Sequence, residues 1–291
     1  MSSPSPLVRS FHHDATGTWT HVMVDPATRR AAIVDPVLDF DQPSGRISTA
    51  SAQRVLEYVA TAELGVDWIL ETHAHADHLS AGAWLRDRTR ARLAIGAGIV
   101  DVQRTFRRLL DLDDAFLTDG TQFDRLFADG DRFRIGELTA RVIATPGHTP
   151  DSISYIAGDA AFIGDTVFAP HAGTARCDFP GGDAAALYRS IRALYALPDE
   201  TRVFLCHDYP AADAAPVAES SVADEKRTNA HLQATTSEAD FVALRARRDA
   251  TLAVPRLLWP AIQFNMRGGR LGTLGAGARG YLKLPVAFDE S

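Results

Sequence analysis

An α/β fold is the class this sequence predicts, on three observations. Short apolar strand-like runs alternate with helical patterns, polar turns separate them, and several of the runs end in a loop that carries histidine or aspartate. With 291 residues and 46% hydrophobic content, the chain can bury a full core. That length suits one large domain, or one domain with a small appendage.

The elements are justified in order along the chain. His21 to Asp25 and Ala31 to Asp35 flank the turn Pro26 to Arg30, which predicts a hairpin. Asp39 to Arg46, with Pro43 and Gly45, is expected as a polar loop. From Ser51 to Leu64, apolar Val55, Leu56, Val59 and Ala60 recur at helical spacing, and Val66 to Leu70 then makes a buried strand. Leu79 to Asp87 is expected as a helix, Arg92 to Ile95 as a strand, and Ile99 to Leu110 as a helix. Leu138 to Ala144 is a strand running into Pro146-Gly147-His148, and Ser152 to Ile156 with Ala161 to Ile163 is a strand pair. Asp183 can cap a helix reaching Leu197, with Tyr188, Ile191, Leu194 and Tyr195 on one face. Arg202 to Cys206 is a strand that ends at His207.

Beyond Tyr209 the texture changes. Ala211 to Ala223 is Ala-rich and turn-prone, Glu238 to Thr251 is helical, and Asn265 to Gly280 is rich in Gly and Arg. The expected organisation is a core over residues 1–210 and a helical and loop layer over 211–291 packed on the same domain.

The most informative stretch is Glu71-Thr72-His73-Ala74-His75-Ala76-Asp77-His78, which crowds three imidazoles and a carboxylate just after a strand. Imidazole nitrogen and carboxylate oxygen are ligands of Zn, Fe and Mn, and alternate positions of an extended loop point to one side. His148, Asp165 (in Gly164-Asp165-Thr166) and His207 follow strands in the same way. Such sites are built on loops at sheet ends, so the four segments together predict a metal centre. The other histidines, His12, His13, His21, His171 and His231, are expected to be solvated or satisfied in the core.

A net charge of −7 without a dense Lys/Arg block argues against nucleic-acid or anionic-membrane partners and leaves a small molecule as the main partner. The opening residues lack an apolar h-region, and no run of about 18 apolar residues occurs, so a cytoplasmic address is expected. Cys177 and Cys206, too few for a disulfide framework, are expected as small packing residues.

The ligand order, from Phe11 to Pro210, resembles the metallo-β-lactamase fold superfamily, in which an αββα sandwich gathers these loops at one edge of two facing sheets. Two glutathione-thiol branches are similar, the glyoxalase II thioesterases and the persulfide (sulfur) dioxygenases. The Arg176-x-Asp178-Phe179 element and the Asn265-Met266-Arg267-Gly268-Gly269 segment resemble the dioxygenases. The Asp39 to Thr49 insertion and the Thr174 to Asp183 run look most like the bacterial β-lactamase-hydrolase-like subgroup, associated with sulfide detoxification.

This resemblance implies one Fe(II) per chain on His73, His148 and Asp165, a two-His, one-carboxylate face with open positions for substrate sulfur and O2. It leaves His75, Asp77, His78 and His207 as an outer shell or a second metal site. Arg176, Asp178, Tyr209 and Arg267 are then candidates to hold the substrate, with Lys226-Arg227 weaker ones. The implied reaction oxidises glutathione persulfide, or a similar low-mass persulfide, to sulfite and thiol. The alternative is a zinc or other binuclear site hydrolysing glutathione thioesters. The C-terminal segment could support a homodimer.

Overall fold

The computed structural model describes residues 5–210, 214–272 and 280–286. Residues 211–213 of the Ala-rich stretch, and 273–279 of Asn265 to Gly280, lie outside the described residues.

Strands β1 (Leu7–His13), β2 (Thr18–Val24) and β3 (Arg30–Val34) form an antiparallel meander, of which β2 and β3 are the predicted hairpin. Next come β4 (Val37–Asp41), β5 (Arg46–Ser48), α1 (Ala50–Thr61), β6 (Gly65–Leu70), β7 (Leu79–Ser80), α2 (Gly82–Thr89), β8 (Arg92–Gly96), α3 (Ile99–Leu109) and β9 (Arg125–Phe127). The first six-stranded sheet has the order β1-β2-β3-β6-β8-β9, with β3, β6, β8 and β9 parallel. The second is built from β10 (Arg132–Ile135), β11 (Leu138–Ala144), β12 (Ile153–Ala157), β13 (Ala160–Phe162), β14 (Arg202–Phe204) and β15 (Glu219–Ser221), in that order. Helix α4 (Ala184–Tyr195) links β13 to β14, and α5 (Val222–Thr228), α6 (Glu238–Asp249) and α7 (Leu258–Asn265) follow β15.

Period-two alternation explains the layering. Val22, Ala31, Ile33 and Ile69 face outward from the first sheet onto Val55 of α1, Leu85 of α2, Phe106 of α3 and Ile262 of α7. Their neighbours Met23, Ala32, Val34, Trp68 and Leu70 face inward onto Phe133, Val142, Tyr155 and Phe162 of the second sheet. On the far face of that sheet, Ile156, Ala161 and Val203 meet Leu187 and Ile191 of α4, Val222 of α5 and Phe241 of α6. Two sheets face each other between helices, the αββα sandwich the sequence led us to expect. Asp183 caps α4 as predicted, its carboxylate accepting from the Ala186 N–H.

Two local expectations are corrected. The polar stretch Asp39 to Arg46 is a β4–β5 hairpin rather than a loop, because Phe40 and Ile47 alternate with its polar residues and pack on the core. The helix expected from Leu79 starts later, since Leu79–Ser80 pairs with β4 before Gly82 opens α2. No helix among the described residues is long and apolar enough to cross a membrane.

We propose that the C-terminal layer unfolds together with the core. Phe241, fully buried against α4, is the probe. Phe241→Ala should lower stability by about 3–5 kcal/mol, seen as a lower urea midpoint with the slope unchanged. An early transition confined to α6, with the main one unmoved, would contradict it.

Candidate metal centre and its cavity

Four strand ends deliver the ligand-type side chains. The histidine loop leaves β6 and is anchored where it starts: the Glu71 N–H donates to Ala94 O of β8, and the Ile153 N–H of β12 donates to Thr72 O. His148 leaves β11, Asp165 leaves β13, and His207 leaves β14. Gly147 is pressed against the start of α4, and a Cβ there would lie 2.3 Å from Leu187 N. Its φ of +139° also favours glycine, so this position fixes how closely His148 is held to α4.

The side chains fall into two clusters that meet at Asp165. Ligand atoms of His73, His148 and Asp165 lie within 4.8 Å of one another, as do those of His75, Asp77, His78 and His207. Asp165 Oδ2 is 3.7 Å from His148 Nε2 and 4.0 Å from His73 Nε2, while its Oδ1 is 3.4 Å from His207 Nε2. Asp77 Oδ2 is 3.2 Å from His207 Nε2.

A surrounding shell fixes the imidazoles. The Asp35 carboxylate accepts from the Thr72 N–H (2.8 Å) and the Thr72 hydroxyl (2.9 Å) and lies 3.0 Å from His75 Nε2. The same hydroxyl is 3.0 Å from His73 Nδ1, and His148 Nδ1 donates to Arg176 O at 2.7 Å. His207 Nδ1 rests on the Thr18 hydroxyl at 3.3 Å. Asp151 accepts from the Ala74 N–H, and Asn265 of α7 donates to His75 O and His78 O while accepting from the Ser80 N–H. In His73, His75, His148 and His207 one ring nitrogen is held this way and the other is aimed inward, whereas His78 is held through its backbone carbonyl.

The inward atoms have no protein partner. His73 Nε2, His75 Nδ1, both nitrogens of His78, His207 Nε2 and Asp165 Oδ1 are buried without a hydrogen bond among the described residues. Orphaned polar atoms cost about 1–3 kcal/mol each, and so many converging at one point fit a cation. Burial, reinforced by the neighbouring imidazoles, drives His73 and His78 well below the ordinary histidine value, so both are neutral and able to ligate. Burial alone would lower His75 too, but the Asp35 and Glu71 carboxylates outweigh it and raise it to about 9. Burial pushes Glu71 up to about 8 against the pull of His75.

The centre opens on a cavity of about 490 Å³ lined in part by Asp77, His148 and Asp165 together with Phe168, Tyr209 and Leu257. Tyr209 stacks parallel on His207, with ring centroids 5.8 Å apart and its edge exposed to solvent. Arg176 also lines the cavity, but its fork is engaged by both Asp178 oxygens and by Ala253 O, leaving its backbone carbonyl to hold His148. Arg267 is not brought to the cavity: it lies over the Phe116 ring and donates to Gln263 O. Lys226 and Arg227 pair with Asp199 and Asp224 outside it. Cys206 is buried 3.7 Å from Asp35 Oδ2, and burial raises its thiol far above the usual value, so it is neutral filling beside the centre. Burial likewise pushes Cys177 up to about 12.

Sequence reasoning missed Asp35, Asp151 and three arginines of the cavity wall, Arg245, Arg248 and Arg256. A signal for Asp35 was present, since it ends a strand as Asp165 follows one. For the arginines there was none, because only the fold brings α6 and the segment after it over the centre.

Comparison with known proteins agrees with this geometry. The profile of the "Metallo-beta-lactamase superfamily" matches residues 15–207. A "Beta-lactamase hydrolase-like protein" of Agrobacterium fabrum is 48% identical over the whole of this chain, which spans 67% of that relative. "Glyoxylase B2" of Dictyostelium discoideum is 42% identical, covering 97% of each chain. The human mitochondrial "Persulfide dioxygenase ETHE1" is 28% identical over 90% of this chain and 89% of its own. Among solved structures, ETHE1 from Myxococcus xanthus superposes with a TM-score of 0.73 and 33% identity, over 91% of this chain and all of the other.

Proposed function

Because the chain belongs to the metallo-β-lactamase superfamily, and is thus a metal-dependent enzyme of that fold, we propose that it is a persulfide dioxygenase. The observation that carries this reading is the two-His, one-carboxylate face of His73, His148 and Asp165, of which His148 and Asp165 line the cavity, in a chain similar over 91% of its length to ETHE1. The reaction is RSSH + O2 + H2O → RSH + SO3²⁻ + 2H⁺, in which the outer sulfur is oxidised, O2 is reduced and the S–S bond breaks.

The donor set suits iron(II), which would supply O2 activation and a site for the sulfur anion. This chain's own residues do the rest. Arg176 O and Thr72 orient His148 and His73, and Asp165 counters positive charge at the centre. The cavity holds the carrier so that its terminal sulfur lies near that face. Asp77, His207 and Tyr209 line or border the same space, where they can orient water for release of sulfite.

One observation favours a second reading. Asp165 turns one oxygen to each cluster, the arrangement a bridging carboxylate needs, and nearer relatives carry hydrolase-like and glyoxylase names. A binuclear centre there would hydrolyse a glutathione thioester.

The two readings separate in one assay. Protein reconstituted with iron without air should consume O2 with glutathione persulfide, releasing one sulfite per O2, and should leave lactoylglutathione intact. Thioester cleavage without O2 uptake would replace the first reading by the second.

A further inference from the structure

A line of hydrogen-bonding groups runs from Asp39, half-buried on β4, to His207 at the centre. Asp39 Oδ1 lies 3.4 Å from His13 Nε2. His13 Nδ1 is 2.7 Å from the Thr16 hydroxyl, which is 2.7 Å from the Thr18 hydroxyl, and Thr18 in turn rests on His207 Nδ1. The β1–β2 turn that carries both threonines is clamped to the end of β14, the Trp19 N–H donating to Cys206 O and the Asp208 N–H to Gly17 O. Gly17 has φ +67°, and a Cβ there would lie 2.8 Å from the Tyr209 ring, so glycine is what lets the turn sit this close. His13, expected to be solvated or satisfied in the core, is buried and satisfied by this line.

The line has a direction. Burial alone would raise the Asp39 pKa, but the Ser51 N–H and hydroxyl, which donate to it at 2.9 and 2.8 Å, outweigh burial, so it is a carboxylate and can only accept. Burial holds His13 below the ordinary histidine value, so it is neutral, and its single proton sits on Nε2 toward Asp39. Nδ1 of His13 then accepts from Thr16, Thr16 accepts from Thr18, and Thr18 accepts from His207 Nδ1, since each hydroxyl has one proton to give. His207 meets the opposite pull on its inner side. Asp77 Oδ2 and Asp165 Oδ1 lie 3.2 and 3.4 Å from Nε2 and would draw the proton into the space a cation needs.

We propose that Asp39 and His13 are positioning residues for the cluster of His75, Asp77, His78 and His207: acting through Thr16 and Thr18, they keep the His207 proton on Nδ1 and its Nε2 lone pair free for a metal ion. The inference rests on that cluster taking a cation, and is independent of which reaction the centre performs. Neither residue touches the ion. Each acts by fixing the direction of the hydrogen bonds behind a ligand.

The test is zinc binding rather than turnover. Metal-free protein would be titrated with zinc against a chromophoric chelator, the site of this cluster being the one that His78→Ala abolishes. We expect the wild type to bind zinc at both clusters, and Asp39→Asn to weaken this site by about 10–100-fold, the range of groups behind a ligand, with the other site unchanged. The Ser51 N–H can only donate, so the asparagine keeps its oxygen toward Ser51 and turns its NH2 to His13. That reverses every bond in the line and moves the His207 proton to Nε2. His13→Leu, which cuts the line, should weaken the same site, and Asp39→Glu, which keeps an acceptor, should stay close to the wild type. Unaltered binding at the other site is the internal check that each variant is folded. Zinc at one cluster only in the wild type, equal losses at both sites, full affinity in Asp39→Asn, or an Asp39→Glu variant as weak as Asp39→Asn would overturn the proposal. Because O2 uptake is not the readout, failure here leaves the dioxygenase reading standing, and failure of that reading leaves this one.

Discussion

Asp165→Ala should remove nearly all bound metal and lower persulfide-dependent O2 uptake by at least roughly 10³-fold, since altering even a residue behind a ligand costs about 10–100-fold. The reason is positional. Among the described residues this carboxylate is the only acidic group within 4.0 Å of the ring nitrogens of His73 and His148, and its other oxygen faces His207. Without it the centre keeps five imidazoles and Asp77, and loses the carboxylate that offsets a divalent ion beside His73 and His148. Collapse of the fold is not expected. Asp165 Oδ1 is buried without a hydrogen bond among the described residues, so its removal relieves a desolvated group, and the variant should melt at or above the temperature of the metal-free wild type.

A companion substitution sorts the two functional readings. If one iron sits on His73, His148 and Asp165, His78→Ala should retain one metal per chain and O2 uptake within about tenfold, the range of a supporting residue. In a binuclear hydrolase it should cost as much as Asp165→Ala. Metal content per chain, measured beside both activities, decides between them.

The layered core was legible in the sequence because the central strands of each sheet are buried on both faces, which writes strands such as Ala31 to Val34 and Trp68 to Leu70 as continuous apolar runs. The ligand-type residues were legible because metal chemistry restricts residue type and spacing to a few patterns. What could not be read depends on where separate segments meet. Phe40 and Ile47 sit in a stretch whose turn residues, Pro43 and Gly45, suggest loop, and only their packing on the core makes it a hairpin. Arg176 carries a motif that suggests substrate contact, yet Asp178 two residues on occupies its fork. Conversely Arg248 and Arg256 look like ordinary surface cations until α6 is laid against the cavity. Asn265 belongs to a segment singled out by resemblance, but its task, clamping the carbonyls of His75 and His78, emerges only from the fold.

Asp35→Ala should be the most damaging change outside the inward-facing groups themselves. The carboxylate is 2% exposed and ties four groups together: the Thr72 N–H, the Thr72 hydroxyl, His75 Nε2 and the Cys206 thiol. Burial alone would raise its pKa, but His75 and the Thr72 hydrogen bonds win and hold it below the usual carboxylate value, so it is charged. Removing one side of such a buried pair costs about 3–5 kcal/mol. Alanine adds strain, because residue 35 has φ +48°, a region that Asp and Asn tolerate far better. Asp35→Asn keeps that backbone and one acceptor, so it should lose clearly less stability than the alanine variant. Metal binding should weaken by about 10–100-fold in Asp35→Ala, read by chelator competition, because His75 loses the partner that turns its Nδ1 inward and the Thr72 hydroxyl that holds His73 loses its own acceptor. Wild-type affinity and stability in Asp35→Ala would show that the rings are held by packing alone, and that the hydrogen-bonded shell is not what aims them.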